Sequence, residues 1–341
     1  MHVRSGARPL GRVDGDLTAL GAGVLADDDV RRLVGTALGA EVSTEGTLDA
    51  DFAFEAPGVG RFRGNAYRTM GGCGLALRHV RDEIPDLAAL GVPSVVASWA
   101  AATHGLVLVG GPTGSGKSTT LAALVGVINA NRPCHILTIE DPVEFIHRDM
   151  RASVTQREVS TDTESFERAL KSGLRQDPDV IVVGEVRDAA TMRIALQAAE
   201  TGHLVLASVH AGSATDAVQR IINLFDPQEQ QTVRANLAEA LVGIVCQRLV
   251  ASEVTRMRRI VTEILTNTPR IGDAISRPDR DGELEEILSE GSYYGMHTML
   301  QDTVRLVLEG AISHSDAQRV IANTAELDVA LHRVGYRSSH A

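Results

Sequence analysis

Between residues 106 and 209 short apolar runs alternate with longer segments of helical spacing. Residues 106–109, 136–139, 180–183 and 204–209 are apolar at nearly every position, as strands buried on both faces are. Helical segments fall between them, which predicts a mostly parallel sheet covered on both sides. The first 82 residues follow another rhythm. Residues 51–55 and 61–67 alternate apolar and polar side chains, and Ala56-Pro57-Gly58-Val59-Gly60 between them has turn composition, so a hairpin is predicted there. Residues 27–38 have helical spacing. The expected fold class is α/β. A small domain with an antiparallel sheet is expected over 1–82, a linker over 83–93 around Pro85 and Gly91-Val92-Pro93, and an α/β domain over 94–255. Residues 256–341 are more polar and read as mainly helical, with a turn-rich break at 276–282. A chain of 341 residues accommodates two compact domains and an appendage.

The first apolar run leads into the most specific chemistry of the chain. Gly110-Gly111-Pro112-Thr113-Gly114-Ser115-Gly116-Lys117-Ser118 lies between that strand and the helical stretch from Thr119 to Val125. Glycines let the backbone curl so that successive N–H groups and a helix N-terminus face phosphate oxygens. In such a loop the lysine neutralises the β- and γ-phosphates and the following hydroxyl holds Mg²⁺. The candidate nucleotide contacts are Gly111, Pro112, Thr113, Gly114, Ser115, Gly116, Lys117, Ser118 and Thr119. An incidental glycine-rich turn would lack the strand before it and the helix after it.

Composition sharpens this reading. Of 33 Lys and Arg residues only two, Lys117 and Lys171, are lysines; lysine stands where a compact ammonium suits phosphate. Neither lies in the Asn/Thr-Lys-x-Asp segment by which guanine-specific enzymes usually read their base, so adenine nucleotide is expected. A net charge of −11 argues against broad nucleic-acid binding, which usually shows a basic footprint. Cys73, Cys134 and Cys246 lie far apart and read as small buried residues, with no zinc site expected. No signal-peptide-like stretch and no run of about 18 apolar residues occurs, and a cytoplasmic protein that docks on a membrane complex is expected.

Three further segments end candidate strands, so their polar residues should emerge at the edge that carries the phosphate loop, where open α/β sheets bind ligands. Glu140 and Asp141 follow the second strand and suit polarising water or holding Mg²⁺ through an ordered water. Glu185 follows Gly184, at the strand end where many phosphate-loop enzymes place an Asp and then a catalytic Glu; Glu185 is the candidate for orienting the lytic water. His210 leaves the last strand before a Gly-Ser turn and is a candidate γ-phosphate sensor. His203, at the opposite edge, reads as packing or a helix cap.

Together these segments resemble the motor ATPases of type IV pilus and type II secretion systems, nearest their pilus retraction branch. The most specific stretches are 105–123, the acidic box at 136–145, Gln156-Arg157-Glu158-Val159, 174–188 and Ala199-Glu200-Thr201-Gly202-His203 through His210. The resemblance implies an N-terminal PAS-like domain joined to a RecA-like phosphate-loop ATPase domain. It implies ATP and Mg²⁺ as cofactors and a homohexameric ring. Peripheral attachment to the inner face of the membrane, through an inner-membrane pilus platform protein, is implied as well. Lys117 and Ser118 match the nucleotide and Mg²⁺ residues, Glu140 the acidic-box glutamate and Glu185 the catalytic glutamate, while Arg61, Arg63 and Arg78 match arginines that the N-terminal domain supplies to nucleotide. Ser118 and Asp141 are the metal candidates, with His210 completing the catalytic set of Glu185 and Glu140.

The chain also departs from that pattern. It resembles one that begins late, with 1–7 as the end of the first strand. The segment Tyr67-Arg68-Thr69-Met70-Gly71-Gly72 lacks the arginine expected just before Gly72, and Arg270-Ile271-Gly272-Asp273-Ala274-Ile275-Ser276 aligns with the retraction branch's Ala-Ile-Arg-Asn-Leu-Ile-Arg. The expected function is an Mg²⁺-dependent ATPase motor for pilus dynamics. The alternatives are a nucleotide-binding regulator with little turnover and a related RecA-like DNA translocase.

Overall fold

A computed structural model describes every residue except 14, 15, 45, 81, 82 and 337–341. The expected domain end at residue 82 therefore lies outside the described residues. The chain forms two compact units, Met1–Glu83 with Glu144–Ile146, and the remainder.

The first unit contains β1 (His2–Arg4), β2 (Leu10–Val13), β3 (Asp16–Ala19), α1 (Asp27–Leu38), β4 (Asp49–Ala56), β5 (Gly60–Thr69) and β6 (Gly72–His79). Its strands form one antiparallel sheet in the order β3-β2-β1-β6-β5-β4. The β4–β5 hairpin predicted from alternation is present. Helix α1 begins with Asp27, Asp28 and Asp29 and ends at Gly39 in the left-handed region (φ 65°), acids at the N-terminus and glycine past the C-terminus being the favourable arrangement. Its buried Val30 and Val34 pack with Val3, Ala66, Cys73 and Leu75.

The second unit starts with α2 (Leu87–Leu90) and α3 (Ser94–Ser98), then β7 (Gly105–Gly110), α4 (Lys117–Asn131), β8 (His135–Glu140) and β9 (Ser153–Glu158). It continues through α5 (Phe166–Gly173), β10 (Val180–Val183), α6 (Ala189–Glu200), β11 (Leu204–Val209), α7 (Ala214–Asn223) and α8 (Gln230–Ala240). A hairpin of β12 (Leu241–Ala251) and β13 (Arg258–Thr266) follows, then α9 (Pro269–Ser276), α10 (Leu284–Glu290), α11 (Met299–Leu308), α12 (His314–Val320) and α13 (Thr324–Arg333). The sheet order is β13-β12-β7-β11-β10-β8-β9, parallel except for the β12–β13 pair. Successive side chains enter opposite layers. Leu106, Leu108, Ile181 and Val205 face α5 to α9 and the C-terminal helices, while Val107, Val109, Val180 and Leu204 face α3 and α4. Apolar residues at every position are therefore satisfied twice over, as strands covered on both sides require.

Three strands of the second unit escape the pattern reading. β9 is an edge strand with the polar sequence Ser-Val-Thr-Gln-Arg-Glu, β12 mixes glycine and polar residues into its apolar run, and β13 opens on two arginines. A boundary between 255 and 256 would divide the β12–β13 hairpin, so residues 258–266 are sheet, not part of a helical region. The expected linker is also partly structured, for Leu87 and Val92 are buried with Val96 and Trp99. Cys73 and Cys246 are buried as expected, but Cys134 is only half-buried; all three are free thiols.

Gly243 in β12 lies against the Trp99 ring, where an added Cβ would come within 2.7 Å of Cε2. Gly243→Ala is expected to destabilise the second unit by about 1–3 kcal/mol through overpacking. Chemical denaturation followed by the fluorescence of Trp99, the sole tryptophan, measures it.

Candidate nucleotide-binding and hydrolysis site

β7 ends at Gly110, and residues 111–116 turn the chain into α4 at Lys117. Gly111, Gly114 and Gly116 have φ of 148°, 78° and 93°, where a side chain would be strained. A Cβ on Gly111 would also lie 2.6 Å from the carbonyl oxygen of Gln247. Lys117 Nζ donates to the carbonyls of Gly111 (2.9 Å) and Pro112 (3.2 Å), so the ammonium sits back over its own loop. Pro112, Thr113, Gly114 and Ser118 are exposed, Gly116, Lys117 and Thr119 half-buried, and Ser115 buried.

A residue that spacing did not reveal holds this loop. Gln247 of β12, 1% exposed, donates through Nε2 to the Ser115 carbonyl (2.8 Å) and accepts at Oε1 from Thr120 Oγ1 (2.9 Å). One side chain thus joins the loop to the first turns of α4 and to the neighbouring strand. The only local signal is a polar residue within an apolar run, and its partners lie more than 120 residues away in the sequence.

Parallel pairing brings the other strand exits to the same edge. The Gly184 N–H donates to the Ile139 carbonyl (2.8 Å), the Val186 N–H to the Ser208 carbonyl (2.9 Å) and Ser208 Oγ to the Gly184 carbonyl (2.5 Å). These bonds stitch together the exits of β8, β10 and β11. A Cβ on Gly184 would lie 3.2 Å from Glu140 Cα, leaving little room for the Asp that other phosphate-loop enzymes carry there.

Glu185 is the electrostatic centre of this edge. Its Oε1 lies 2.9 Å from His210 Nε2 and its Oε2 accepts from Arg187 Nη2 at 2.7 Å. Burial by itself would raise its pKa. The Arg187 hydrogen bond, together with the charges of His210, Arg187 and Lys117, outweighs burial and holds the carboxyl below the usual glutamate value. Arg187 also faces Asp141 at 3.6 Å; it too went unassigned from sequence. Glu140 accepts at Oε1 from Thr138 Oγ1 (2.7 Å) and Gln156 Nε2 (3.1 Å). His203 is elsewhere, its Nδ1 3.0 Å from the Ala198 carbonyl at the end of α6.

Arg61, Arg63 and Arg78 belong to the first unit. Arg63 and Arg78 are directly opposed on β5 and β6, and Arg61 shares their face two residues earlier. Arg68, on the other face, donates to the carbonyls of Ser43 (2.7 Å) and Thr44 (3.0 Å).

A phosphate loop between β7 and α4, a mostly parallel sheet and the Glu185 carboxyl of lowered pKa at the exit of β10, two strands from β7, define a RecA-like P-loop ATPase. The chain matches the Type II/IV secretion system protein family over residues 61–325 and belongs to it. It is 40% identical over 320 residues to the type IV pilus retraction ATPase PilT of Pseudomonas aeruginosa, spanning 93% of this chain and 92% of that protein. It is 44% identical over 269 residues to the type IV pilus ATPase PilU of the same organism, spanning 79% and 70%. The solved structure of the pilus retraction motor PilT with bound ADP superposes with a TM-score of 0.86 at 37% identity, over 96% of this chain and 94% of that one.

Arg187→Ala removes a hydrogen bond and a positive charge that lower the Glu185 pKa, so more of the opposing burial effect is left. The acid limb of the pH–rate profile for ATP hydrolysis is expected to move to higher pH. A limb that stays in place would show that Arg187 does not hold this carboxylate ionised.

Proposed function

We propose that the protein is an Mg²⁺-dependent ATPase motor that powers type IV pilus retraction as a homohexamer, acting on an inner-membrane platform protein from the cytoplasmic face. The observation that carries the catalytic part is the Glu185 carboxylate, held between Arg187 and His210 at the sheet edge that bears Lys117. The likeness to PilT and to the twitching motility protein of Neisseria gonorrhoeae, 39% identical over 321 residues, supports the pilus assignment. Among the described residues no helix is long and apolar enough to cross a membrane, which fits attachment through a partner.

The residues suit ATP with Mg²⁺. The N–H groups of 113–116 and the first turn of α4 would hold the phosphates, and Lys117 would exchange two loop carbonyls for phosphate oxygens. The exposed Ser118 hydroxyl is the direct metal candidate, with Glu140 and Asp141 acting through water. Among the described residues no cluster of three His, Cys, Asp or Glu side chains suits a metal ion, and Mg²⁺ characteristically takes few protein ligands and completes its shell with phosphate and water. When bound, Mg²⁺ neutralises charge on the phosphate oxygens.

Glu185 would orient the attacking water. A carboxyl with a lowered pKa is a weak base, so its contribution is mainly to position the water and stabilise developing positive charge on it, a role typically worth ~10²–10⁴ in rate. Arg187 and His210 keep both carboxylate oxygens directed. Arginines located in a different unit from the phosphate loop support a ring in which several copies cooperate. The engagement of Arg68 with Ser43 and Thr44, and the absence of arginine at 70 and 71, favour the second reading, a nucleotide-gated regulator with little turnover.

Steady-state Mg-ATP hydrolysis by the wild type, Lys117→Ala and Glu185→Gln, with native mass on the same samples, tests this. Turnover in a hexamer, abolished by Lys117→Ala and reduced at least ~10²-fold by Glu185→Gln, is expected. Tight ATP binding without turnover would establish the regulator, and a monomeric mass in the presence of nucleotide would remove the ring.

A further inference from the structure

Glu263 is a buried acid that plays no part in the site described so far. It lies in β13, 8% exposed, opposite Cys246 of β12. Its Oε1 accepts from the Ala214 N–H at 2.6 Å, and its Oε2 from the Met299 N–H at 3.2 Å. Ala214 is the first residue of α7 and Met299 the first of α11. One carboxylate therefore closes the N-termini of two helices that lie 85 residues apart in the chain.

Each helix also has a conventional cap, and the division of labour is clear. Ser213 Oγ accepts from the Asp216 N–H and Thr298 Oγ1 from the Gln301 N–H, both at 3.1 Å. These caps serve the third N–H of each helix. The first N–H of each has no intrahelical partner, and Glu263 supplies it. Two helix dipoles converge on this carboxylate with their positive ends, a favourable arrangement for a negative charge. Burial raises its pKa, and the two backbone N–H groups oppose that rise, as does the charge of Arg248, whereas Glu285 adds to it.

Ala214 is four residues beyond His210. Between them Ala211 is buried and the Gly212 N–H donates to Asp216 Oδ2 at 2.8 Å. The segment that carries the His210 imidazole to Glu185 is thus short and tied at its far end to Glu263. We infer that Glu263 is a positioning residue: by fixing the start of α7 it sets the His210–Glu185 contact, and by holding α11 with its other oxygen it makes that contact dependent on where the C-terminal helices sit. The catalytic part of this inference rests on the hydrolysis proposed above; the double cap does not.

The test is a double-mutant cycle between Glu263→Gln and His210→Ala, read as kcat and KM for ATP. Glutamine has the same shape but presents an NH₂ to one of the two backbone donors. In the wild-type background Glu263→Gln is expected to lower kcat about tenfold with KM within about twofold, and in the His210→Ala background to change kcat by less than about twofold. Equal losses in both backgrounds would mean a merely structural role and overturn the inference. Residue-resolved hydrogen exchange on the wild-type protein needs neither turnover nor a folded variant. The Ala214 and Met299 amides are expected to exchange as slowly as helix-interior amides, and fast exchange at either would overturn the double cap. Absent wild-type turnover would count against the proposed hydrolysis while leaving the exchange result to judge the cap; turnover with an additive cycle would sink the positioning role alone.

Discussion

Parallel pairing of β7, β11, β10 and β8 is the constraint on which the site depends. Continuous register sets Val183 beside Ala207 and Ile139, so the residues that follow each strand leave the sheet at one edge. Glu140, Glu185, His210 and the phosphate loop come from four separate stretches of chain, and no local interaction could gather them. The sheet does so mainly through backbone hydrogen bonds, with Ser208 Oγ as the side-chain exception, which frees the other side chains at the edge for electrostatics. The pairing holds because every strand is covered on both faces, which in turn requires the apolar runs seen in the sequence.

The edge is built on competition between burial and charge. Desolvation acts on the half-buried Glu185, yet Arg187, His210 and the loop lysine together hold its pKa below the usual glutamate value. A solvent-exposed carboxylate would need no such help and would be screened by water. Enclosure makes the geometry matter, because in a low-dielectric setting each of these partners counts for more.

Legibility followed the range of the forces involved. The four double-covered strands, the α1 segment and the β4–β5 hairpin were readable because burial and turn chemistry are written into consecutive residues. The phosphate loop was readable because its glycines answer a local backbone demand. Gln247, Arg187 and Glu263 were not, since each matters through a partner that only folding brings near. Strands β9, β12 and β13 were missed because edge positions and an antiparallel partner relax the demand for uniform apolarity, letting Gln156, Gln247 and Arg258 into strand sequence.

The β12–β13 hairpin serves both layers. From one side Gln247 grips the phosphate loop, and from the other Glu263 closes α7 and α11. Side chains on a strand alternate between faces, so displacing β12 by one residue would turn Gln247 away from the phosphate loop, and displacing β13 by one would turn Glu263 away from the two helices. A single-residue insertion or deletion within the paired residues 243–251 or 258–266 that shifted the register would therefore cost one of these two anchorages. The connecting tip is a different matter: Val254 and Met257 are exposed there and Arg256 adopts a left-handed conformation, as solvent-facing turns tolerate. A fluorophore or an affinity peptide could be grafted at 254–256 without disturbing the register, offering a handle on the second unit at a point remote in sequence from the phosphate loop.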